Sequence, residues 1–122
     1  MIQLTNEQLK KLQGIQLDML VEIKRICEKH DIKYSLIGGT LLGAIRHKGY
    51  IPWDDDADVG MLREDYERFR KIAEEELDSE KYYFQDDRNT EGDNHIFFEG
   101  NRYFMCSGYF KYGYIILCVI YI

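Results

Sequence analysis

The sequence predicts a single α/β (α+β) domain that combines long helices with short β-strands. Two long segments carry apolar residues at every third or fourth position, which is typical of amphipathic helices. Between and after them, short segments alternate apolar and polar residues as half-buried strands do. The chain has 122 residues, of which 45% are hydrophobic and 31% charged. Those values are typical of one soluble domain with an ordinary core.

The first helix is predicted over residues 5–30. Thr5 and Gln8 have the spacing of a capping box, in which each side chain satisfies a free N–H group of the first turn. Lys29 and His30 lie near the C-terminal end, where positive charge is favoured. The apolar stripe consists of Leu9, Leu12, Ile15, Met19, Ile23 and Ile26.

The middle of the chain predicts two strands joined by a short helix. "IKYSLIGGT", residues 32–40, alternates as a strand that ends at Gly38 and Gly39. Residues 41–46 are predicted to form one or two helical turns. "DADVGM", residues 56–61, alternates again and predicts the second strand, with its apolar residues on one face.

The second long helix is predicted over residues 63–77, with one apolar stripe and a charged opposite face. "KYYFQ", residues 81–85, predicts a third strand. "DDRNTEGDN", residues 86–94, is predicted to be a polar loop because of its composition.

The segment "GYIPWDDDADVGM" gathers four aspartates. In a strand, side chains at positions i and i+2 lie on one face, about 7 Å apart. Asp56 and Asp58 are such a pair, and Asp54 joins them if the strand starts early, whereas Asp55 would point the other way. Two facing carboxylates repel each other unless a cation lies between them, and their oxygens suit Mg²⁺ or Mn²⁺.

Two other interpretations of this acidic segment stay open. The run of charge is also compatible with a solvated surface turn. Asp54, Asp56 and Asp58 match positions 1, 3 and 5 of a calcium-binding EF-hand loop, but the required glycine is replaced by Val59, and Asp65 stands where a glutamate is usual.

A second group of residues fits a phosphate-binding turn. Gly38 and Gly39 leave backbone N–H groups uncovered, and Thr40 adds a hydroxyl. A helix that starts after them favours phosphate at its N-terminus. The basic run 46–48, which begins with Arg46, could neutralise a diphosphate leaving group, or could be a solvated loop. Nearby, Tyr50 and Trp53 are expected to pack in the core or to form a wall for a base or a cationic headgroup.

Charge and cysteine content narrow the function classes. The net charge of -6 argues against sequence-independent nucleic acid binding, which needs a basic face. The three widely spaced cysteines suggest reduced thiols in a cytoplasmic protein, and the polar N-terminus lacks the apolar core of a signal peptide. A helix needs about 20 apolar residues to span a bilayer, and the apolar run 114–122 is shorter than that. Attachment to a membrane through this tail stays open as an alternative.

The stretch "YSLIGGTLLGAIRHKGYIPWDDDADVGMLREDYERF", residues 34–69, closely resembles the signature of the LicD family. That family includes bacterial phosphocholine transferases and fukutin-related proteins, and it has a nucleotidyltransferase-like fold. The resemblance therefore implies a mixed β-sheet flanked by helices, of which this chain would hold an incomplete part. With the preceding helix, the resemblance covers roughly residues 5–85.

The resemblance implies a function and a set of site residues. It implies Mg²⁺-dependent transfer of phosphocholine, or a related phospho-alcohol, from CDP-choline or a similar CDP-linked donor to a glycan acceptor at the cell surface, such as a teichoic acid or lipopolysaccharide. Gly38–Thr40 match the family's donor-phosphate motif, and Arg46 lies close behind it. Asp56 and Asp58 match its catalytic, metal-binding pair, and Asp54 lies within the same acidic signature.

The resemblance weakens towards the C-terminus. Relatives are expected to carry a further acidic residue in a "GIFIDIFP"-like strand, and nothing here matches it. We therefore predict that residues 1–94 are the N-terminal part of a LicD-like domain, and that 95–122 are an atypical tail, either out of frame or an added strand. The alternative to an active transferase is a truncated, catalytically dead remnant that at most binds nucleotide or metal.

Overall fold

The computed structural model describes residues 4–78, 80–85, 103–107 and 117–121. Within these ranges three helices and five strands follow one another along the chain. In order they are α1 (Asn6–His30), β1 (Ser35–Leu36), α2 (Gly38–Arg46), β2 (Ala57–Met61), α3 (Arg63–Glu76), β3 (Tyr82–Gln85), β4 (Tyr103–Ser107) and β5 (Leu117–Tyr121).

Helix α1 begins with the predicted capping box. The Gln8 N–H donates to Thr5 Oγ1 at 3.2 Å, and the Thr5 N–H donates to Gln8 Oε1 at 2.9 Å. The helix ends at Asp31, whose left-handed backbone, φ 53°, lets its N–H donate to the carbonyl of Cys27. The first-turn N–H groups that a helix leaves free are therefore partly satisfied by the sequence itself.

The sheet is mixed, as predicted, and its strand order is β1-β2-β5-β4-β3. β1 runs antiparallel to β2, and the other neighbouring pairs are parallel. β4 and β5 lie within the predicted tail, residues 95–122, and β5 pairs with β2 so that Cys118 is the partner of Asp58. The boundary predicted near residue 94 stays a prediction.

The first predicted strand is much shorter than expected. Only Ser35 and Leu36 pair with β2, and α2 begins at Gly38 rather than at Leu41. Gly38 has φ +58°, a conformation that glycine adopts without steric cost. The chain can therefore turn from strand to helix within two residues. The predicted polar loop, 86–94, lies outside the described residues.

The core lies between the sheet and the two long helices. Ala57, Val59 and Met61 of β2 are buried, which confirms the predicted alternation. Met19, Ile23 and Ile26 of α1, together with Tyr66, Phe69 and Ala73 of α3, are buried in the same cluster. Burial of one face of β2 directs its other face, which carries Asp58, away from this cluster.

Cys27 lies in the core. Cys27 is a free thiol, and burial raises its pKa to about 12. A thiol with so high a pKa is a poor nucleophile, which is typical of a core cysteine.

Among the helices described, none combines the length and the apolar character that crossing a membrane requires.

Candidate functional site

Three aspartates converge in the loop between α2 and β2. One carboxylate oxygen from each of Asp54, Asp55 and Asp56 lies within 4.8 Å of the others. We call residues 54–56 the acidic loop. β2 begins only at Ala57, so the alternation expected of a strand does not apply before it. Asp55 is exposed as expected, but its carboxylate joins the cluster instead of pointing the other way.

Asp58 lies beside this cluster and is fixed by its backbone. Its N–H donates to Thr40 Oγ1 at 2.8 Å, and its carbonyl accepts from the Ile37 N–H at 3.3 Å. The buried Thr40 hydroxyl therefore ties the start of α2 to β2. Since the hydroxyl accepts this bond through oxygen, its own O–H stays available as a donor.

The predicted glycine pair makes room for the carboxylates. A Cβ atom at Gly39 would lie 2.8 Å from Asp54 Oδ2, and one at Gly38 would lie 3.6 Å from Asp58 Oδ2. Both aspartates thus approach the N-terminus of α2, where the helix dipole favours negative charge. The N-cap residue Ile37 provides no side-chain hydrogen bond to this terminus.

The close approach of negatively charged carboxylates dominates the electrostatics of the candidate site. Partial burial, a hydrogen bond with Asp54 and the charges of Asp54, Asp58 and Asp55 together raise the pKa of Asp56 to about 7. Asp56 is exposed to solvent, which limits the effect of burial. We therefore regard the neighbouring carboxylates as the main cause of the raised pKa. Burial and the charge of Asp54 also raise the pKa of Asp58. In the described residues, no ion pair involves any of the four aspartates.

The two aromatic residues before the acidic loop differ from each other. The Tyr50 hydroxyl is buried and has no hydrogen-bond partner in the described part of the chain. Burial and the charges of Asp54 and Asp56 raise the pKa of Tyr50, so the phenol stays protonated near the cluster. Trp53 is 76% exposed, with its ring edge-on to His47 at 6.3 Å. The expectation of packing therefore fits Tyr50 but not Trp53.

The basic run does not meet the acidic loop. Arg46 ends α2, so it lies about 12 Å along the helix axis from Gly38. Residues 46–48 are all exposed. The structure thus brings Gly38–Thr40 together with Asp54, Asp56 and Asp58, but leaves Arg46 apart. A phosphate-binding role for Arg46 stays a prediction.

Two further residues contact the acidic loop, and neither was predicted from the sequence. Gln13 Nε2 donates to the carbonyl of Asp54 at 2.8 Å, and Gln16 Nε2 donates to that of Asp55 at 2.9 Å. Positions 13 and 16 are compatible both with the apolar stripe of α1 and with the polar residues that border this stripe. A glutamine inside an otherwise apolar helix stripe is the signal that could have indicated them.

The donor set suits a hard divalent cation. Carboxylate oxygens are the ligands that Mg²⁺ and Mn²⁺ prefer, and Mg²⁺ holds them at about 2.0–2.1 Å. Three carboxylate oxygens that lie within 4.8 Å of one another are a donor set of the kind that such a cation takes. Asp54, Asp55 and Asp56 fit the predicted metal, and Asp58 lies close enough to raise the pKa of Asp56.

Comparison with known proteins identifies the family of the chain. The sequence pattern described as "LicD/FKTN/FKRP, nucleotidyltransferase domain" matches residues 31–112. The chain belongs to the LicD/FKTN/FKRP family. The match begins after α1 and includes the glycine pair, all four aspartates and β4.

Two of the relatives of this LicD-family chain carry transferase names. It is 56% identical over 61 residues to the lipopolysaccharide cholinephosphotransferase LicD of Haemophilus influenzae, which is 50% of this chain and 23% of that protein. It is 50% identical over 40 residues to the human ribitol 5-phosphate transferase FKRP, 33% of this chain and 8% of that protein. An uncharacterised Rickettsia prowazekii protein is 39% identical over 77 residues, 58% of this chain and 29% of that protein. The matched region therefore spans less than a third of each relative. No solved structure matches the chain.

Proposed function

We propose that this LicD-family chain takes part in Mg²⁺- or Mn²⁺-dependent transfer of a phospho-alcohol group. The donor would be CDP-choline or a similar nucleotide-activated compound, and the acceptor a cell-surface glycan such as lipopolysaccharide or a teichoic acid. A cytoplasmic location is part of the proposal, in keeping with the reduced thiols that the three widely spaced cysteines predict. The cholinephosphotransferase and ribitol 5-phosphate transferase named among the relatives support the reaction class.

One observation carries the proposal. Carboxylates of the acidic loop converge beside the uncapped N-terminus of α2, with no basic partner among the described residues. Like charges held together without a counter-charge raise the free energy of the protein alone. A divalent cation removes that repulsion, and a bound cation can in turn bridge to donor phosphates.

The residues of the chain then have distinct tasks. Asp54, Asp56 and Asp58, with Asp55 as a further carboxylate of the same cluster, would hold the cation, which when bound supplies charge stabilisation for the phosphoryl and leaving oxygens. The free first-turn N–H groups at Gly38 and Gly39 would donate to a donor phosphate oxygen. The Thr40 O–H can add another donor while its oxygen holds the Asp58 backbone. In the transfer, an acceptor hydroxyl oxygen would bond to the phosphorus that carries the alcohol, while the bond from that phosphorus to CMP breaks and CMP leaves. The hydroxyl proton would be released to water.

A second candidate is metal and donor binding without transfer. In the described sheet, the strands on either side of β2 are Ser35–Leu36 and Leu117–Tyr121, and neither contains an acidic residue. The position paired with Asp58 is Cys118. A further carboxylate on a neighbouring strand, which the family resemblance predicts, is therefore not supplied by these two strands.

Calorimetric titration with CDP-choline tests the proposal. We expect saturable binding in Mg²⁺ that is lost in EDTA, lost in Asp56→Ala and Asp58→Ala, and retained in Glu76→Ala, which changes a carboxylate far from the loop. Absence of binding by the intact chain in Mg²⁺ would contradict both candidates. Binding together with release of CMP when a glycan acceptor is added supports transfer, whereas binding without release supports the second candidate.

A further inference from the structure

Helix α1 reaches the acidic loop through two glutamine side chains. Gln13 Nε2 donates to the carbonyl of Asp54 at 2.8 Å and, more weakly, to that of Ile51 at 3.4 Å. Gln16 Nε2 donates to the carbonyl of Asp55 at 2.9 Å. Two amide groups from one helix therefore bind three main-chain carbonyls of a segment about forty residues later in the chain.

Core stability does not explain Gln16. Its side chain is fully buried, 0% exposed, and its Oε1 has no hydrogen-bond partner within the described ranges. A buried carbonyl oxygen without a partner is destabilising, and a leucine of similar size would avoid that cost. What the amide provides, and leucine cannot, is the N–H bond to the Asp55 carbonyl.

The two bonds oppose a specific distortion. The carboxylates of Asp54, Asp55 and Asp56 repel one another, so a free loop would relax by spreading them apart. Glutamine donors on the carbonyls fix the backbone from which these side chains project. Because an amide carries no net charge, it does this without neutralising the carboxylates, as a lysine or arginine would.

We infer that Gln13 and Gln16 are positioning residues of the divalent-cation site. This rests on the proposed function, and it adds α1 to a site whose other residues all lie in the family match, 31–112. Neither glutamine would itself be a ligand, because both side chains donate to main-chain carbonyls. Each acts through the main chain of the acidic loop, in the way that hydrogen bonds to ligands tune metal affinity in other proteins.

Titration of the full chain with Mn²⁺, followed by the electron paramagnetic resonance signal of free Mn²⁺, tests the inference. The variants are Gln13→Leu and Gln16→Leu. The control is Thr5→Ala, which removes the capping box of the same helix without touching the loop. The melting temperature of each protein is measured in EDTA by circular dichroism.

We expect the glutamine variants to bind Mn²⁺ about 10- to 100-fold more weakly, with melting temperatures no lower than that of the control. The control should melt earlier than the wild type but keep its Mn²⁺ affinity. If Gln16→Leu does not fold, Gln13→Leu decides the question alone, because Gln13 is only half-buried.

The two possible failures are distinguishable. Wild-type Mn²⁺ affinity in folded Gln13→Leu and Gln16→Leu proteins would overturn this inference and leave the proposed function intact. Absence of saturable Mn²⁺ binding by the wild-type chain would overturn the proposed function, and the inference with it.

Discussion

Helix α1 contacts acidic groups at two places. It provides basic side chains at one of them and only neutral amides at the other. Near its C-terminal end, His30 Nε2 and Lys29 Nζ bind Glu76 Oε1 of α3 at 2.5 and 3.1 Å, and Arg25 lies 3.7 Å from the other oxygen. Nearer its N-terminus, it offers the acidic loop only the neutral amides of Gln13 and Gln16.

The electrostatic consequences differ in sign. Hydrogen bonds from His30 and Lys29 lower the pKa of Glu76, so its charge is favoured in the folded protein. In the acidic loop the pKa of Asp56 is raised to about 7, so its charge is disfavoured. Charge that a fold pairs internally stabilises the fold, whereas charge that it gathers and leaves unpaired is available to a ligand.

The largest expected effect is a loss of Mn²⁺ affinity that occurs at the candidate site but not at the ion pairs of Glu76. Asp58→Asn should weaken Mn²⁺ binding by about 100-fold or more, because affinity depends steeply on the number of charged ligands. Glu76→Gln also removes one carboxylate but should leave the affinity unchanged. Calorimetric titration of both variants measures this, and equal losses would show that only net charge matters.

The next effect concerns the room that glycine leaves for Asp54. Gly39→Ala places a Cβ 2.8 Å from Asp54 Oδ2, and the carboxylate can move away at little cost in stability. We expect Mn²⁺ affinity to fall about 10-fold with little change in melting temperature.

The matched control for that glycine is Gly14→Ala, since a Cβ at Gly14 has no neighbouring atom within 4 Å. This exposed helix position should gain about 0.4–1 kcal/mol of stability and keep its Mn²⁺ affinity. Unchanged affinity in Gly39→Ala would contradict a role for Asp54 as a ligand.

A smaller effect is a gain of stability without metal. In EDTA at pH 8, Asp56→Asn should melt about 1–4 °C above the wild type, because it removes an ionised carboxylate from a repelling group that solvent partly screens. The folded pKa lies above the ordinary value of 3.8, so the cost of ionisation is absent below that value and complete above about pH 7. The gain should therefore vanish towards pH 4, and a gain independent of pH would count against this explanation.

The smallest effect on the melting temperature is expected at Glu76, which forms ion pairs with α1. Glu76→Gln should lower the melting temperature slightly at pH 7, because exposed ion pairs contribute little. Its folded pKa is depressed, so the stabilisation is present above the ordinary carboxyl pKa and is lost as the pH falls through the lowered value. Thermal melts of variant and wild type should therefore converge in acid, and a deficit that persists there would indicate lost packing instead.

Local signals in the sequence predicted much of this fold. The Thr5–Gln8 capping box, the stripe of α1 and the alternation of β2 are each set by neighbours within a few residues, and all three were confirmed. The early start of α2 was missed because two glycines in succession are poor helix formers, and here the positive φ of Gly38 serves as the turn itself.

The candidate site was predictable in composition but not in arrangement. The aspartates and glycines are visible as a motif, whereas convergence of Asp55 with its neighbours depends on an irregular loop that alternation cannot describe. The Gln13 and Gln16 contacts join segments about forty residues apart, and the parallel pairing of β2 with β5 joins still more distant ones. No local pattern encodes such pairings, because tertiary packing determines them.

The central claim is that the acidic loop, together with the neighbouring Asp58, is a divalent-cation site, and one measurement tests it most directly. The melting temperatures of the wild type and of Asp58→Asn are compared at pH 8 in MgCl₂ and in KCl of equal ionic strength. A ligand that binds only the folded state stabilises it, so Mg²⁺ should raise the melting temperature of the wild type and not of the variant. Equal melting temperatures of the wild type in the two salts would contradict the claim.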